Sequence, residues 1–363
     1  MNSLTRRDFV RGGLTAGIGI GIAPEVLRSA VAHQAQSPAP AAGADPYALV
    51  DPELLAAIKQ FPFPTQALTS ETLVEARKLP AMPPLPAPAP QPVERHIPGP
   101  AGAPDLRLVI FDPAPGTKGR PVLLHIHGGG YVMGMAAQFG PVLQTIVQNC
   151  GCVVVSVDYR LAPETHFAGS LEDNYAALRW LYKNADELGV DRKRIAIGGE
   201  SAGGGHSALL AIAARDRHEI PVLFQLLIYP ALDDRTGSTR QPPPSIGQFI
   251  WNGGSNRFAW TSFLGVPAGS AAVPAAAVPA RVENLAGLPP AFIGVGALDL
   301  FVDEDVEFAR RLIDAGVPTE LLVVPGAFHG FDVFVPDATV SKRFTEAWMA
   351  ALRRAFASGP TAS

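Results

Sequence analysis

The chain has 363 residues, with 29 Lys and Arg against 33 Asp and Glu for a formal net charge of −4; 47% of it is apolar and 17% charged. Such a balance supports a packed core rather than a disordered chain, and it lacks the basic footprint that tracks phosphate backbones, so nucleic acid is not an expected partner. The 36 Gly and 36 Pro are unevenly spread, and their clusters mark the organisation of the chain.

Residues 5–11 read TRRDFVR and are followed by a weakly apolar, Gly-rich stretch over residues 12–23. This resembles a twin-arginine export signal. The stretch is about half of the roughly 20 residues that a helix needs to cross a bilayer, so no stable membrane span is expected. Ala30-Val31-Ala32 supplies a small-x-small cleavage pattern before His33. Residues 1–32 are therefore expected to be a signal peptide, and the protein to be periplasmic or secreted. Residues 37–43 and 79–104 are dominated by Pro and Ala and read as extended linker. Between them, residues 51–60 (DPELLAAIKQ) read as a short helix with Pro in its first turn.

From residue 105 the texture changes. LRLVIF, VLLHI, CVVVSV, RIAIG, VLFQLLIY, AFIGV and ELLVV are short apolar runs bounded by Gly, Pro and Asp, as expected of strands covered on both faces. Helical patterns lie between them. Residues 170–188 open with Ser170 and Asp173 as a possible cap pair and place Leu171, Tyr175 and Leu178 on one face. Val302, Val306, Ala309 and Ile313 repeat at helical spacing, and Phe344, Trp348, Ala351 and Ala355 do so within residues 341–356. Strands alternating with helices argue for an α/β layer fold around a parallel sheet. Residues 233–290, rich in Pro, Gly and Ala, interrupt the rhythm and read as a partly helical insertion over one end of that sheet. Cys150 and Cys152 stand two apart in what reads as an apolar strand, where alternating faces would strain a mutual disulfide.

Gly199-Glu200-Ser201-Ala202-Gly203 fits G-x-S-x-G between the strand RIAIG and a helical segment. A tight strand-to-helix corner of this kind admits only glycine two residues either side of the serine and projects the hydroxyl from the end of the sheet. The helix behind Ser201 points backbone N–H groups at developing negative charge. His127-Gly128-Gly129-Gly130 follows the strand VLLHI and is a recognised kind of oxyanion-donor motif in lipases and esterases. Unhindered amides there can turn toward a carbonyl oxygen, each worth about 3 kcal/mol in a transition state. A base and its orienting acid should follow in the order Ser, Asp or Glu, His. His329 sits in a loop just past the last strand, and Asp299 ends the strand AFIGV. Asp303 and Asp305 read instead as the first turn of the next helix, where carboxylates suit its dipole. His125 lies mid-strand and His206 within the helix behind Ser201. His125 and His127 share a strand face but have no third ligand of suitable type nearby, so no metal site is expected.

Together HGGGY, DYRLAPE at residues 158–164, GESAGG, GALDLFVDEDVEFA and FHGF resemble the bacterial hormone-sensitive lipase family of α/β-hydrolases, over residues 106–356. The resemblance implies an α/β-hydrolase fold over residues 105–358, with an eight-stranded, mostly parallel sheet flanked by helices. It also implies a helical cap built from the N-terminal region, within residues 33–104, and from the insertion. Carboxylic ester hydrolysis without a cofactor follows from it, with Ser201 as nucleophile, Asp299 as acid, His329 as base, and amide donors among Gly128, Gly129 and Gly130 together with Ala202. Gly199 and Gly203 are the elbow glycines. Glu200 stands where the commonest relatives have Asp, and THFAGS at residues 165–170 lacks their proline-rich run. An amidase or peptidase on the same triad, and a non-catalytic binder of small molecules, are the alternatives. A cap of two separated segments would bound the pocket, so the expected partner is a small, short-acyl ester; oligomeric state is left open.

Overall fold

A computed structural model describes residues 45, 47–59, 66–78 and 90–358; the expected signal peptide and most of the Pro/Ala-rich linkers lie outside the described residues. Eight strands form one sheet: β1 (Val93–Ile97), β2 (Leu106–Phe111), β3 (Arg120–Ile126), β4 (Val153–Asp158), β5 (Val190–Glu200), β6 (Phe224–Ile228), β7 (Ala291–Gly296) and β8 (Thr319–Val324). Their order is β1-β2-β4-β3-β5-β6-β7-β8. β2 runs antiparallel to both β1 and β4, and every other pairing is parallel. The apolar runs earn their continuity by burial on both faces. Alternate residues Val122, Leu124 and Ile126 of β3 join one core with Tyr175, Leu178 and Leu181 of α4 (Phe167–Lys183), Leu210 of α6 (Ala202–Arg217) and Phe308 and Leu312 of α8 (Val302–Asp314). Leu123, Val154 and Ala196 face the opposite way, onto Leu143, Ile146 and Val147 of α3 (Gly140–Cys150) and Phe344, Trp348 and Leu352 of α10 (Thr339–Ser358). Each such aliphatic or aromatic side chain contributes about 1.5–3 kcal/mol by leaving water.

Four local expectations are corrected. Residues 93–97, expected to be linker, form β1: the strand lies at the sheet edge with four of its five residues exposed, so VERHI carries no apolar run to announce it. Cys150 ends α3 and Cys152 precedes β4, separated by Gly151 in the left-handed conformation that caps the helix; both thiols are free. The expected pair of Ser170 and Asp173 does not cap α4. Its N-cap is His166, while Asp173 accepts two bonds from the Arg160 guanidinium at 2.7 and 2.8 Å. The helix expected from residue 170 to 188 is also two, α4 and the short α5 (Ala185–Leu188).

The apolar stripe expected on α8 is misplaced as well. Val306 and Ile313 are exposed, and the buried face carries Glu304, Asp305, Phe308, Ala309 and Leu312. Of the two acids on that face, Glu304 is satisfied by the amides of Leu232 and Asp233 at 2.6 and 3.1 Å and by the Thr236 hydroxyl.

Two further segments sit over the carboxyl end of the sheet. α1 (Pro52–Ile58) is capped by Asp51, whose side chain accepts from the Glu53 amide and whose own amide donates to Gly326 O at 3.0 Å, just ahead of the His329 loop. α2 (Ser70–Ala76) joins α7 (Gly253–Leu264), from the insertion at residues 233–290, in a cluster with Leu73, Tyr131, Trp251, Trp260 and Phe263. Among the described residues no helix is long and apolar enough to cross a membrane.

Candidate active site

The turn from β5 to α6 holds Ser201 at φ 57°, ψ −121°, a positive φ that a side-chain-bearing residue adopts only under surrounding constraint. The constraint is visible. The Ser201 amide donates to Ile228 O at 2.9 Å, and its carbonyl accepts from the amides of Gly205 and Ala231, each at 3.0 Å. A Cβ added at Gly199 would lie 2.0 Å from Ile126 O, and one at Gly203 would lie 1.9 Å from the same oxygen. The elbow is thus pressed against the backbone of β3, and both flanking positions exclude a side chain. Ala202 opens α6, whose first amides have no partner inside the helix.

The glycine loop after β3 lies alongside. A Cβ at Gly128 would come within 2.9 Å of Glu200 O and 3.4 Å of Ser201 Cβ. Gly129 (φ 119°) and Gly130 (φ 61°) take left-handed conformations, and a Cβ on Gly130 would stand 2.4 Å from the Trp251 ring. The loop is braced from several sides. Tyr131 donates its hydroxyl to Ala231 O at 2.9 Å, and His127 donates from Nδ1 to Gly128 O at 2.8 Å. Burial holds His127 down at about 4, so it is neutral near pH 7 and acts as a strut. Arg77, beyond α2, donates to Val132 O and Ala162 O, each at 2.7 Å, and grips the Glu164 carboxylate with two bonds at 2.7 and 2.8 Å.

From the far side of the sheet, His329 brings Nε2 within 2.9 Å of Ser201 Oγ and Nδ1 within 2.8 Å of Asp299 Oδ2. With the carboxylate accepting, the proton sits on Nδ1 and Nε2 is free to accept from the serine hydroxyl. Asp299 is fully buried, and its Oδ1 accepts from the Phe301 amide at 3.0 Å. Ser201, Asp299 and His329 are thereby joined in one hydrogen-bonded line, with Gly128, Gly129, Gly130 and Ala202 around it. The arrangement offers a nucleophile, a base in a fixed tautomer and amides near the attack site.

Other candidates fall elsewhere. Asp303 is exposed in the first turn of α8. Asp305 is buried without a hydrogen-bond partner, and burial together with Glu304 and Asp299 pushes its carboxyl well above the usual range. His206 is buried among Tyr131, Tyr159 and Phe263, and desolvation lowers it to about 3. His125 donates from Nε2 to Glu200 Oε2 at 2.9 Å and accepts from Ser156 Oγ at 2.8 Å, so it serves a polar pair beside the nucleophile. Among the described residues no group of three or more His, Cys, Asp or Glu is placed to hold a metal ion. Sequence reasoning passed over Glu200 as a partner of His125, and it missed Arg77, Tyr229 and Asp332. Only Glu200 stood inside a motif that could have flagged it.

The chain is similar to several known proteins. The alpha/beta hydrolase fold family matches residues 123–333. The chain is similar to esterase LipI of Mycobacterium tuberculosis, at 34% identity over 85% of this chain and 96% of that protein. It is likewise similar to an ethyl acetate hydrolase of Pseudomonas putida, at 34% identity over 58% of this chain and 65% of that protein. Among solved structures, a bacterial heroin esterase superposes with a TM-score of 0.76 at 35% identity, covering 86% of this chain and 99% of the other.

Proposed function

The chain belongs to the hormone-sensitive-lipase-like family of alpha/beta hydrolases and is a carboxylic ester hydrolase, and on that footing we propose that Ser201 is its nucleophile, His329 its general base and Asp299 the acid that orients the base. The carrying observation is the continuous line from Ser201 Oγ through His329 to Asp299, with contacts of 2.9 and 2.8 Å. Ser201 Oγ attacks the ester carbonyl as its proton passes to His329 Nε2. The resulting oxyanion is held by amides of the 128–130 loop and Ala202. His329 then protonates the departing alcohol, leaving an acyl-serine. A water molecule, deprotonated by the same Nε2, attacks that acyl group; the acid leaves and the proton returns to Ser201. Asp299 orients the imidazole and stabilises the imidazolium that forms.

The substrates are small, short-acyl esters. Support comes from the two cap segments: α2 and residues 249–264 contribute Leu73, Trp251, Trp260 and Phe263 to one buried cluster, and the Leu68 amide donates to Ser255 Oγ at 2.9 Å to join them. The ethyl acetate hydrolase among the relatives carries a substrate of this size in its name. In a bounded pocket each added methylene contributes about 0.8 kcal/mol until it meets the wall, and then costs strain. Specificity constants for p-nitrophenyl esters from acetyl to palmitoyl should peak at short chains. A palmitoyl value equal to or above the butyryl value would reject the bounded pocket.

Residues 1–32 serve, on this proposal, as a twin-arginine signal that exports the folded enzyme. Support for it is the TRRDFVR run and the small-x-small pattern before His33. Replacing Arg6 and Arg7 by Lys should leave uncleaved precursor in the cytoplasm, with the parent's mature chain beginning near His33. A mature chain that keeps residues 1–32 in its native host would contradict export.

A further inference from the structure

The imidazole of His329 packs at steep angles against two aromatic rings. Phe301 meets it with ring centroids 5.2 Å apart at 88°, and Tyr229 at 4.9 Å and 67°. Phe301 stands two residues after Asp299 and belongs to the turn that presents the acid. Tyr229 comes from elsewhere, the end of β6, and three features set it apart. It holds φ at +35°, which a residue with a side chain reaches only when its surroundings impose it. Its amide donates to Gly294 O at 2.6 Å, which fixes the backbone. Its hydroxyl donates to Asp332 Oδ1 at 3.0 Å, while its ring stacks on Phe344 at 6.3 Å and 17°.

Asp332 stands three residues after His329, in the short helix α9 (Phe331–Phe334). The ring packed against the imidazole is therefore tied, through its hydroxyl, to the same loop that carries the imidazole. We propose that Tyr229 and Asp332 are positioning residues: their hydroxyl-to-carboxyl bond locks the Tyr229 ring against His329 and holds Nε2 in line with Ser201 Oγ. This inference rests on His329 being the base. A triangle of ring, bond and loop resists both rotation of the imidazole and drift of the loop, and misplacement of a reacting group by about 1 Å can cost up to 100-fold in rate. The charges around Asp332 suit the bond. Burial, reinforced by the nearby Glu200 carboxylate, pushes Asp332 up to about 7, and Tyr229 is held well above its ordinary range by burial and by Asp332, so the phenol remains the donor.

The test uses the full chain and p-nitrophenyl butyrate. Tyr229→Phe removes one oxygen and leaves the ring, and it should lower kcat by about 10-fold with KM within about twofold of the parent. Asp332→Ala should do the same. The double variant should be no slower than the slower single variant, because both break one clamp. Asp332→Asn keeps an acceptor for the phenol and should recover kcat to within about threefold of the parent, with thermal unfolding run alongside. Unchanged kcat in Tyr229→Phe, losses confined to KM, or losses that multiply in the double variant would each overturn the clamp. Should Asp332→Ala fail to fold, Tyr229→Phe and Asp332→Asn decide alone: a slow phenylalanine variant beside a recovered asparagine variant supports the clamp, and any other pairing overturns it. If the parent itself turns over no ester, or Ser201→Ala turns it over normally, the triad assignment falls first and the clamp falls with it.

Discussion

Ser201→Ala should fold as the parent does and lose ester turnover by a factor on the order of 10⁴ or more. The expectation follows from what the substitution removes. The backbone bonds that impose φ 57°, from the Ser201 amide to Ile228 O and from the amides of Gly205 and Ala231 to Ser201 O, do not involve the hydroxyl. Alanine can occupy the same elbow, so the sheet, α6 and the glycine loop keep their places. What disappears is the atom that forms the covalent intermediate and the 2.9 Å contact that aligns it with His329. Residual turnover, about 10³-fold above the reaction in water, would reflect amides and binding surfaces that still gather the substrate. Paired measurements of kcat/KM and of the thermal unfolding midpoint check both halves, and parental turnover in the variant would remove Ser201 from the mechanism.

Asp299→Asn should be nearly as damaging, about 10⁴-fold in kcat, for a reason the hydrogen bonds make specific. Asp299 Oδ1 accepts from the Phe301 amide, and Oδ2 accepts from His329 Nδ1. An asparagine keeps its carbonyl oxygen toward the Phe301 N–H and so turns its NH₂ toward Nδ1. Nδ1 must then accept, the ring proton moves to Nε2, and His329 can no longer take the proton of Ser201. Asp303→Asn, on an exposed first-turn residue of α8, should stay within about twofold of the parent, as surface substitutions away from such features usually do. If instead Asp303→Asn were the crippled variant, the acid would have been assigned to the wrong carboxylate.

The three residues proposed as the triad stood out before any coordinates because each sits where a strand ends. Ser201 follows β5, Asp299 follows β7 and His329 follows β8, and apolar runs bounded by glycine mark those ends plainly. The parts that escaped have physical reasons. β1 is an exposed edge strand with the residues V-E-R-H-I, so burial left no apolar signature. The stripe on α8 was set on the wrong face because apolar spacing cannot register a buried carboxylate such as Glu304, which is satisfied by amides 71 and 72 residues away. The Cys150 to Cys152 segment read as one strand because a left-handed glycine inside it ends a helix without breaking the apolar run. Arg77 to Glu164 and Tyr229 to Asp332 join positions 87 and 103 residues apart, and nothing local foreshadows either contact. Those long-range bonds brace the loops that carry the proposed site, so the site was more visible than its supports.

The central claim is that Ser201 carries the acyl group, and covalent trapping tests it most directly. The protein is incubated with diethyl p-nitrophenyl phosphate, which phosphorylates an activated serine and leaves a stable adduct, and is then analysed by intact mass and peptide mapping. The account predicts one adduct per chain, on the peptide containing Ser201, appearing in step with loss of esterase activity, and absent from Ser201→Ala. An adduct on a different residue that tracks the loss of activity, or full inhibition with no covalent adduct at all, would contradict it.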